Sequence, residues 1–183
     1  MALIVFAETG LFFGFFLPGD SLLVTAGIFA ARGDLDIVTL NVVLIVAAIA
    51  GDATGFWTGK RAGQALYSRP DSRFFKRKHL ETTRDFYARH GGKTIVIARF
   101  MPIVRTFAPI VAGAASMPYA RFALYNVFGA IVWVTSLTLG GYWLGSLIPD
   151  IDSKIHLVVA VVIALSFLPA LVSWLRSRRQ AAG

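Results

Sequence analysis

The strongest constraint on this chain is residues 122–148, a run of 27 residues without Asp, Glu, Lys, Arg or His. Residues 155–175 form a similar run, with only His156 near one end. Since a helix needs about 20 apolar residues to cross the hydrocarbon of a bilayer, each run predicts a transmembrane helix. A third predicted span, 37–59, is apolar until Asp52. We therefore predict an all-α integral membrane protein.

Composition supports this class. Hydrophobic residues make up 56% of the chain and the mean hydropathy is +0.67, whereas roughly 45–50% apolar residues are usual in a soluble domain. The chain has no cysteine, and its three histidines have no spacing typical of a metal site, so we predict neither a metal nor a cofactor. No cleavable signal peptide is expected, and the start of membrane sequence directly after Met1 predicts that a short N-terminal element is missing.

The positive charge is concentrated in residues 60–93, which hold ten Lys or Arg against three acids. A nucleic-acid site is one interpretation of such a segment, but this one lies between apolar segments. The positive-inside rule predicts a cytoplasmic loop attracted to anionic lipid headgroups, with an interfacial helix over Lys78–His90. We therefore expect one multi-pass domain over 1–183 in the bacterial cytoplasmic (inner) membrane, with no nucleic-acid partner.

The apolar stretch over residues 1–31 is broken in its middle. Two uncharged runs of 11 residues flank Asp20, and eleven helical residues reach only about 16 Å, half of the hydrocarbon thickness. Pro18 lacks a backbone donor and Gly19 lowers the cost of a turn, so a helix ends there. The pattern predicts a re-entrant helical hairpin with its tip near mid-membrane.

Residues 94–117 repeat this pattern and predict a second re-entrant hairpin. Its apolar sequence is interrupted by two arginines and two prolines: Arg99, Pro102, Arg105 and Pro109. Counting the crossings favours re-entry. With 60–93 in the cytoplasm, a returning hairpin leaves the basic tail after 155–175 inside, whereas a spanning segment would place it outside.

A faint internal repeat links the two halves. Equivalent residues lie 86 positions apart, or 85 in one case: Gly27 and Gly113, Trp57 and Trp143, Gly59 and Gly145, Asn41 and Asn126. Chance matches in a Gly-rich apolar chain are the alternative. Each half has the order hairpin, then spanning helix, entered from opposite sides. This order predicts an inverted repeat, typical of transporters, followed by a further C-terminal span.

Five ionisable residues fall in apolar surroundings: Glu8, Asp20, Asp52, Arg99 and Arg105. Charges inside a membrane favour a functional interpretation, and ion pairs that hold broken helices together are the alternative. We expect Asp20 and Arg105, both at hairpin breaks, to form a pair. Glu8 is predicted to bind a proton, with a solvated interfacial position as the alternative. For Asp52, between small residues, helix packing and function stay equally open.

Arginine is the stronger indication of the substrate. Arg99 and Arg105 beside broken helix ends are typical of a site for an anion such as phosphate. A hydrophobic cleft continuing from that site could hold acyl or prenyl chains. Trp133, Trp143 and Trp174 are interpreted as packing or membrane-belt residues.

The chain resembles the DedA family of bacterial membrane proteins, which is related to the VTT-domain lipid scramblases of eukaryotes. Four blocks within about residues 8–146 carry the likeness: Glu8-Thr9-Gly10 with Leu17-Pro18-Gly19-Asp20-Ser21; Gly51-Asp52 with Gly55-Phe56-Trp57-Thr58-Gly59-Lys60; Arg99-Phe100-Met101-Pro102-Ile103-Val104-Arg105-Thr106; and Asn126 through Trp133 with Gly141-Tyr142-Trp143-Leu144-Gly145. Phe56 departs from the family, which commonly has Tyr there, and this puts a hydroxyl role at that position in doubt.

The resemblance implies transport that depends on the proton-motive force. Some members recycle undecaprenyl phosphate across the inner membrane, and others move phospholipids. It also implies functional importance for the acids matching Glu8 and Asp20 and for the arginines matching Arg99 and Arg105. Supporting roles are expected for Asp52 and for three break residues: Pro18, Gly19 and Pro102.

The function predicted on these grounds is a flippase with anionic lipid phosphates and protons as its partners. A proton-coupled exporter of small cations or drugs is the alternative, with the acids as ligands and the arginines structural. An enzyme is not expected, because no histidine lies near the acids in sequence and no cysteine exists. The sequence leaves monomer and homodimer, and active transport and passive scrambling, equally open.

Overall fold

The structure is a computed structural model that describes residues 1–10, 19–67 and 92–147. These residues contain helices and turns, with no strand among them: α1 (Ala2–Gly10), α2 (Gly19–Ala31), α3 (Ile37–Tyr67), α4 (Lys93–Ala98), α5 (Pro102–Ala114) and α6 (Tyr119–Leu147). The prediction of an all-α fold is confirmed for the described residues.

Within the described part of the chain, two helices are long and apolar enough to cross a membrane. They are α3, over Ile37–Gly63, and the whole of α6, and they correspond to the predicted spans 37–59 and 122–148. Both helices expose large apolar side chains; for example, Val38 is 66% exposed and Leu124 is 67% exposed. Such surfaces are unfavourable in water, and hydrocarbon covers them at no cost.

Helix α3 continues to Tyr67, eight residues past the predicted end of the span. A helix satisfies its own backbone hydrogen bonds, so it can extend beyond the hydrocarbon into the basic segment without penalty. The remainder of that segment through residue 91, and the predicted span 155–175, lie outside the described residues.

The chain divides into two compact units, and each is described by itself. The first unit comprises Met1–Leu17 and Asn41–Val134; the second comprises Pro18–Leu40 and Thr135–Gly183. The first therefore holds α1, α4, α5, most of α3 and the first half of α6. The second holds α2, the start of α3 and the end of α6. The single domain expected over 1–183 stays a prediction.

In the first unit, α5 packs along α3 through glycines. A Cβ atom on Gly113 would collide with the carbonyl oxygen of Phe56, and one on Gly59 would collide with the backbone of Ile110. Along the whole contact the residue numbers rise together, from Gly55 with Pro109 to Gly63 with Ala114, so the two helices run parallel. The absence of side chains at these positions lets the backbones touch, as in many membrane helix pairs.

Helices α4 and α5 form a hairpin that begins and ends near the same end of α6. Gly92, before α4, lies against the ring of Tyr125, and the residues directly after α5 join an apolar cluster with Phe122. The turn between the helices lies further along α6, where Arg99 packs on Gly129. Re-entry of this hairpin into the bilayer stays a prediction, which the contact pattern supports.

In the second unit, α2 packs along the end of α6 in the same manner. A Cβ atom on Gly27 would collide with the carbonyl oxygen of Thr138, and one on Gly141 would collide with that of Val24. Gly27 lies 86 positions before Gly113, and Gly141 lies 86 positions after Gly55. Equivalent glycines thus serve the helix packing of each unit.

The ends of α2 and α5 are also alike. Each is followed by one residue with a positive φ angle, 84° for Gly33 and 57° for Ser116. The next residue donates its N–H to the carbonyl oxygen five positions earlier: Asp34 to Phe29 (3.1 Å) and Met117 to Ala112 (3.0 Å). This is the Schellman arrangement, which satisfies carbonyls at a helix end.

Candidate functional site

The first element of the site is an ion pair between α1 and α5. Arg105, in the first turn of α5, donates through Nη2 to Oε1 of Glu8. Glu8 is fully buried and Arg105 is 5% exposed. Pro102 begins α5, and the extended backbone of Met101 before it sets the entry into the helix. The predicted hairpin break therefore places Arg105 at the end of a helix.

A second ion pair joins the turn after α4 to α3. Arg99 donates through Nη2 to Oδ2 of Asp52, and both residues are buried. Arg99 lies where α4 ends in a tight turn, in which Met101 donates its N–H to the carbonyl oxygen of Ala98 (3.0 Å). The break between the two arms of this hairpin thus presents its arginine to the middle of α3.

Asn126 on α6 completes the surroundings of this second pair. Its Oδ1 accepts a hydrogen bond from Nη2 of Arg99 at 2.5 Å. Its Nδ2 donates to the carbonyl oxygen of Ile49 on α3 at 3.2 Å. The buried amide therefore fixes the guanidinium of Arg99 between two spanning helices.

The indole ring of Trp133 lies beneath both arginines. The Cζ atom of Arg105 is 4.8 Å from the ring centroid, and the Cζ atom of Arg99 is 5.8 Å from it. Both distances are within the range of cation–π attraction. Trp133 is 1% exposed, so this attraction acts away from water.

Small residues bring α1 against α3 beside the acids. A Cβ atom on Gly10 would lie 2.8 Å from the carbonyl oxygen of Gly51, so neither backbone has room for a side chain. The hydroxyl of Thr9 donates to the carbonyl oxygen of Val5 at 3.0 Å. The Glu-Thr-Gly and Gly-Asp motifs are therefore two sides of one helix contact, and this contact places Glu8 and Asp52 in the same unit.

The two ion pairs balance in charge, because two guanidiniums face two carboxylates. Arg99 nevertheless keeps unused capacity: its Nε and Nη1 atoms are buried and have no hydrogen-bond partner among the residues described. Buried donors without acceptors are unfavourable. The site can therefore accept an additional polar or anionic group at Arg99.

Four of the five predicted charged residues thus lie together in the first unit. The fifth, Asp20, lies in the first turn of α2 in the second unit and is partly buried; Gly19 beside it is buried. Arg105 forms an ion pair with Glu8, and the expected pair between Asp20 and Arg105, which would join the two units, stays a prediction. Pro18 lies outside the described residues.

Sequence reasoning gave Asn126 and Trp133 no place in the site. Trp133 was interpreted as a packing or belt residue, and Asn126 served only in the repeat and the family likeness. One signal was available: positions 126, 129, 130 and 133 follow helical spacing and share one face of α6. Trp143, interpreted in the same way, is 70% exposed, which fits a position at the lipid surface; Trp174 lies outside the described residues.

Phe56 stands where the family that this chain resembles commonly has tyrosine. It is fully buried and stacks on Phe122, with ring centroids 4.5 Å apart. Tyr119 also packs against it at 5.5 Å. Position 56 in this chain therefore belongs to an apolar cluster and supplies no hydroxyl to the site.

The fold and the site define a class of protein. Two helices are long and apolar enough to span a membrane, and arginine–carboxylate pairs are buried between helices, so the class is a membrane protein with an internal polar site. Comparison with known proteins gives the family. The family model described as the VTT domain matches residues 17–143, which is more than half of the chain. The chain belongs to the DedA family of VTT-domain membrane proteins.

Its relatives match it over most of their lengths. Protein DedA of Escherichia coli K12 is 47% identical over 98% of this chain and 83% of the relative. The uncharacterized membrane protein Rv0364 of Mycobacterium tuberculosis H37Rv is 41% identical over 97% and 78%. The inner membrane protein YqjA of E. coli K12 is 36% identical over 78% and 64%. No solved structure matches the chain.

Proposed function

We propose that this protein is a flippase that moves lipid phosphates, undecaprenyl phosphate or phospholipid, across the bacterial cytoplasmic membrane and is driven by the proton-motive force. The observation that carries this proposal is the pair of buried arginine–carboxylate contacts, Arg99 with Asp52 and Arg105 with Glu8. The cluster is balanced without a ligand, yet it contains the two residues that bind phosphate best.

Phosphate enters this site by exchange. An anionic headgroup that approaches Arg105 competes with the carboxylate of Glu8 for the same guanidinium. A phosphate oxygen also provides the acceptor that Nε and Nη1 of Arg99 lack among the described residues. The headgroup thereby gains charge-assisted hydrogen bonds, and its apolar chains stay in the surrounding lipid.

Exchange also supplies the coupling to protons. A carboxylate released from its arginine stays buried, and a buried unpaired charge is strongly unfavourable. Protonation of Glu8 removes that charge. Each negative charge brought by the lipid is thus matched by a proton taken up, so the neutrality of the cluster links lipid movement to the proton gradient. Asp20 is proposed as a second proton carrier, on the evidence of its position in a predicted hairpin break.

In this proposal, movement of the predicted hairpins exposes the site first to one side of the membrane and then to the other. The helices α2 and α5, which begin at Gly19 and Pro102, are held through glycine contacts rather than through large interlocking side chains. Such contacts let packed helices slide past each other without unpacking a core. An inverted repeat would make the inward and outward arrangements equivalent, as alternating access requires.

Reconstitution into liposomes tests this function. Movement of labelled undecaprenyl phosphate and of a labelled phospholipid is followed with and without a pH gradient. We expect gradient-dependent movement of at least one lipid, and loss of that movement in Arg105→Gln. Arg61→Gln is the matched control, because Arg61 is exposed on α3, and it should transport as the wild type does.

Each other outcome has a separate meaning. Lipid movement that ignores the gradient would identify a passive scramblase. No lipid movement, together with gradient-driven release of a cationic dye from the same liposomes, would favour the cation exporter. Release of free phosphate from the lipid would indicate an enzyme instead of a transporter.

A further inference from the structure

The interaction of two cations with one aromatic ring is the feature of this site that the proposed exchange leaves unexplained. Two guanidiniums repel each other, and each already has a carboxylate. Nevertheless both Cζ atoms lie within 6 Å of the Trp133 ring centroid, the range in which cation–π attraction is significant.

The position of Trp133 on α6 is equally specific. Along the same buried face, Asn126 binds Arg99 and Gly129 makes room for it: a Cβ atom at position 129 would lie 3.3 Å from its Nε. One face of α6 therefore orients the guanidinium of Arg99 in three ways: Asn126 accepts its hydrogen bond, Gly129 leaves room for it, and the ring of Trp133 lies beneath it. The ring is the element of this face that also reaches Arg105.

We propose that Trp133 is a positioning residue that holds Arg99 and Arg105 in place while their carboxylates are exchanged for the lipid phosphate. This role rests on the proposed function. During the exchange, an arginine that has left its carboxylate and has not yet bound the phosphate would be a buried cation without an anionic partner. The face of an indole ring carries negative charge density, so it stabilises the guanidinium during that interval and keeps both arginines within reach of one phosphate.

Fluorinated tryptophans test this role without changing the shape of the site. Each fluorine withdraws electron density from the ring face and weakens its attraction for a cation. Mono-, di- and trifluorotryptophan are introduced at position 133 alone, and the transport rate is measured at limiting and at saturating lipid. The matched control carries the same residues at Trp143, which is 70% exposed.

We expect a graded loss at position 133, reaching about tenfold with three fluorines, and no change at position 143. The loss should fall mainly on the rate at saturating lipid, since the ring matters most when an arginine has left its carboxylate and has not yet bound the phosphate. Trp133→Phe should keep part of the activity and Trp133→Leu less. A transport rate that is independent of the number of fluorines, with a wild type that moves lipid, overturns the proposal.

A stability measurement separates this proposal from the proposed function. The thermal midpoint is measured in detergent for tryptophan and trifluorotryptophan at position 133, each with the native ion pair and in the Glu8→Gln, Arg105→Gln background. The decrease in thermal midpoint caused by fluorination should be smaller in that background, where one cation is gone. An equal decrease in both would show that the ring only packs. A wild type that moves no lipid would refute the transport function itself, and the exchange role with it, whatever the thermal midpoints show.

Discussion

The two helix pairs α3–α5 and α2–α6 have the same packing and different chemistry. Both run parallel, and both rely on glycines that are 86 positions apart in the sequence. The same offset relates Asp52 on α3 to Thr138 on α6. Asp52 forms a buried ion pair, whereas the buried hydroxyl of Thr138 donates within its own helix to the carbonyl of Thr135. Packing of this kind therefore does not require a charge.

The difference bears on why the charges are there. Burying a carboxylate and a guanidinium costs several kcal/mol of desolvation for each ion, and the attraction between them often only offsets that cost. A buried ion pair is therefore weak evidence for stability. Since the α2–α6 pair packs with Thr138 at the equivalent position, the acid of the α3–α5 pair is better explained by function than by folding.

Replacing the acid of the α3–α5 helix pair by the threonine of the α2–α6 helix pair should have the largest effect on the free energy of unfolding. Asp52→Thr places the residue of the α2–α6 pair in the α3–α5 pair and leaves Arg99 without its carboxylate. We expect the free energy of unfolding in detergent to fall by about 3–5 kcal/mol. Thr138→Ala, at the equivalent position, should cost only about 1 kcal/mol. Equal costs at the two positions would contradict the contrast.

A second substitution should separate stability from function. In the double variant Asp52→Thr, Arg99→Met no buried charge is left unpaired, so most of the lost stability should return. Gradient-driven lipid movement should remain absent. A stable double variant that still transports would show that Arg99 has no part in binding the lipid.

The glycine contacts should behave alike in the two units. Gly113→Ala and Gly27→Ala each force a methyl group against a backbone carbonyl, and we expect each to cost about 1–3 kcal/mol in the free energy of unfolding. Gly140→Ala is the control, because a Cβ atom there meets nothing within 4 Å. It should be neutral or stabilise the helix slightly. A tolerant Gly27 beside an intolerant Gly113 would mean that the resemblance of the two pairs is superficial.

The turns after α2 and α5 should respond in opposite directions. Both contain a residue with a positive φ angle, a conformation that favours glycine. Only the turn after α2 has glycine at that position (Gly33), whereas the turn after α5 has Ser116. Ser116→Gly should raise the free energy of unfolding by about 1 kcal/mol, and Gly33→Ala should lower it by about 1–2 kcal/mol. Thermal midpoints of the two variants against wild type give the signs, and a gain from Gly33→Ala would be incompatible with the Schellman geometry.

The smallest expected effect is at the start of α3. The N–H of Thr39 donates to Oδ1 of Asp36 at 2.7 Å, and this bond together with one from the Thr39 side chain holds the pKa of Asp36 below its ordinary value. A lowered pKa means that the stabilisation is complete above the unfolded-state pKa, about 3.9, and disappears as the pH falls through the lower folded-state value.

The measurement compares Asp36→Asn with wild type. Asparagine keeps an acceptor for Thr39 but does not titrate in this range. The wild-type thermal midpoint should therefore fall relative to the variant on acidification below about pH 4, and the two should keep a constant difference above it. Parallel curves throughout the acid range would show that Asp36 is not a charged cap.

The spans and the breaks could be predicted from the sequence because they depend on local composition. In a long uncharged apolar run only a helix satisfies the backbone hydrogen bonds, so the start of α3 and both ends of α6 were predicted to within about three residues. The end of α3, which leaves the apolar run, was not. Pro102 marked the start of α5 for a similarly local reason. The burial of Glu8 and Arg105 also followed from apolar neighbours in the chain.

The partners could not be predicted in this way. Nothing in the sequence indicated that Arg105 would pair with Glu8, 97 positions away. Asp52 and Arg99 are 47 positions apart, and Asn126 is 27 positions from Arg99. Which side chains meet depends on the rotation and register of packed helices, and a shift of one residue turns a helix by about 100°.

The sequence by itself determined that this is a helical membrane protein of the DedA family and which charges would be removed from water. Those properties depend on the order of apolar, charged and helix-breaking residues along the chain. Only the tertiary structure decided that each arginine has its own carboxylate, that Asn126 holds one of them, and that Trp133 lies beneath both. These contacts arise because glycines on separate helices let the backbones approach closely, and the resulting alignment is a property of the packed helices together.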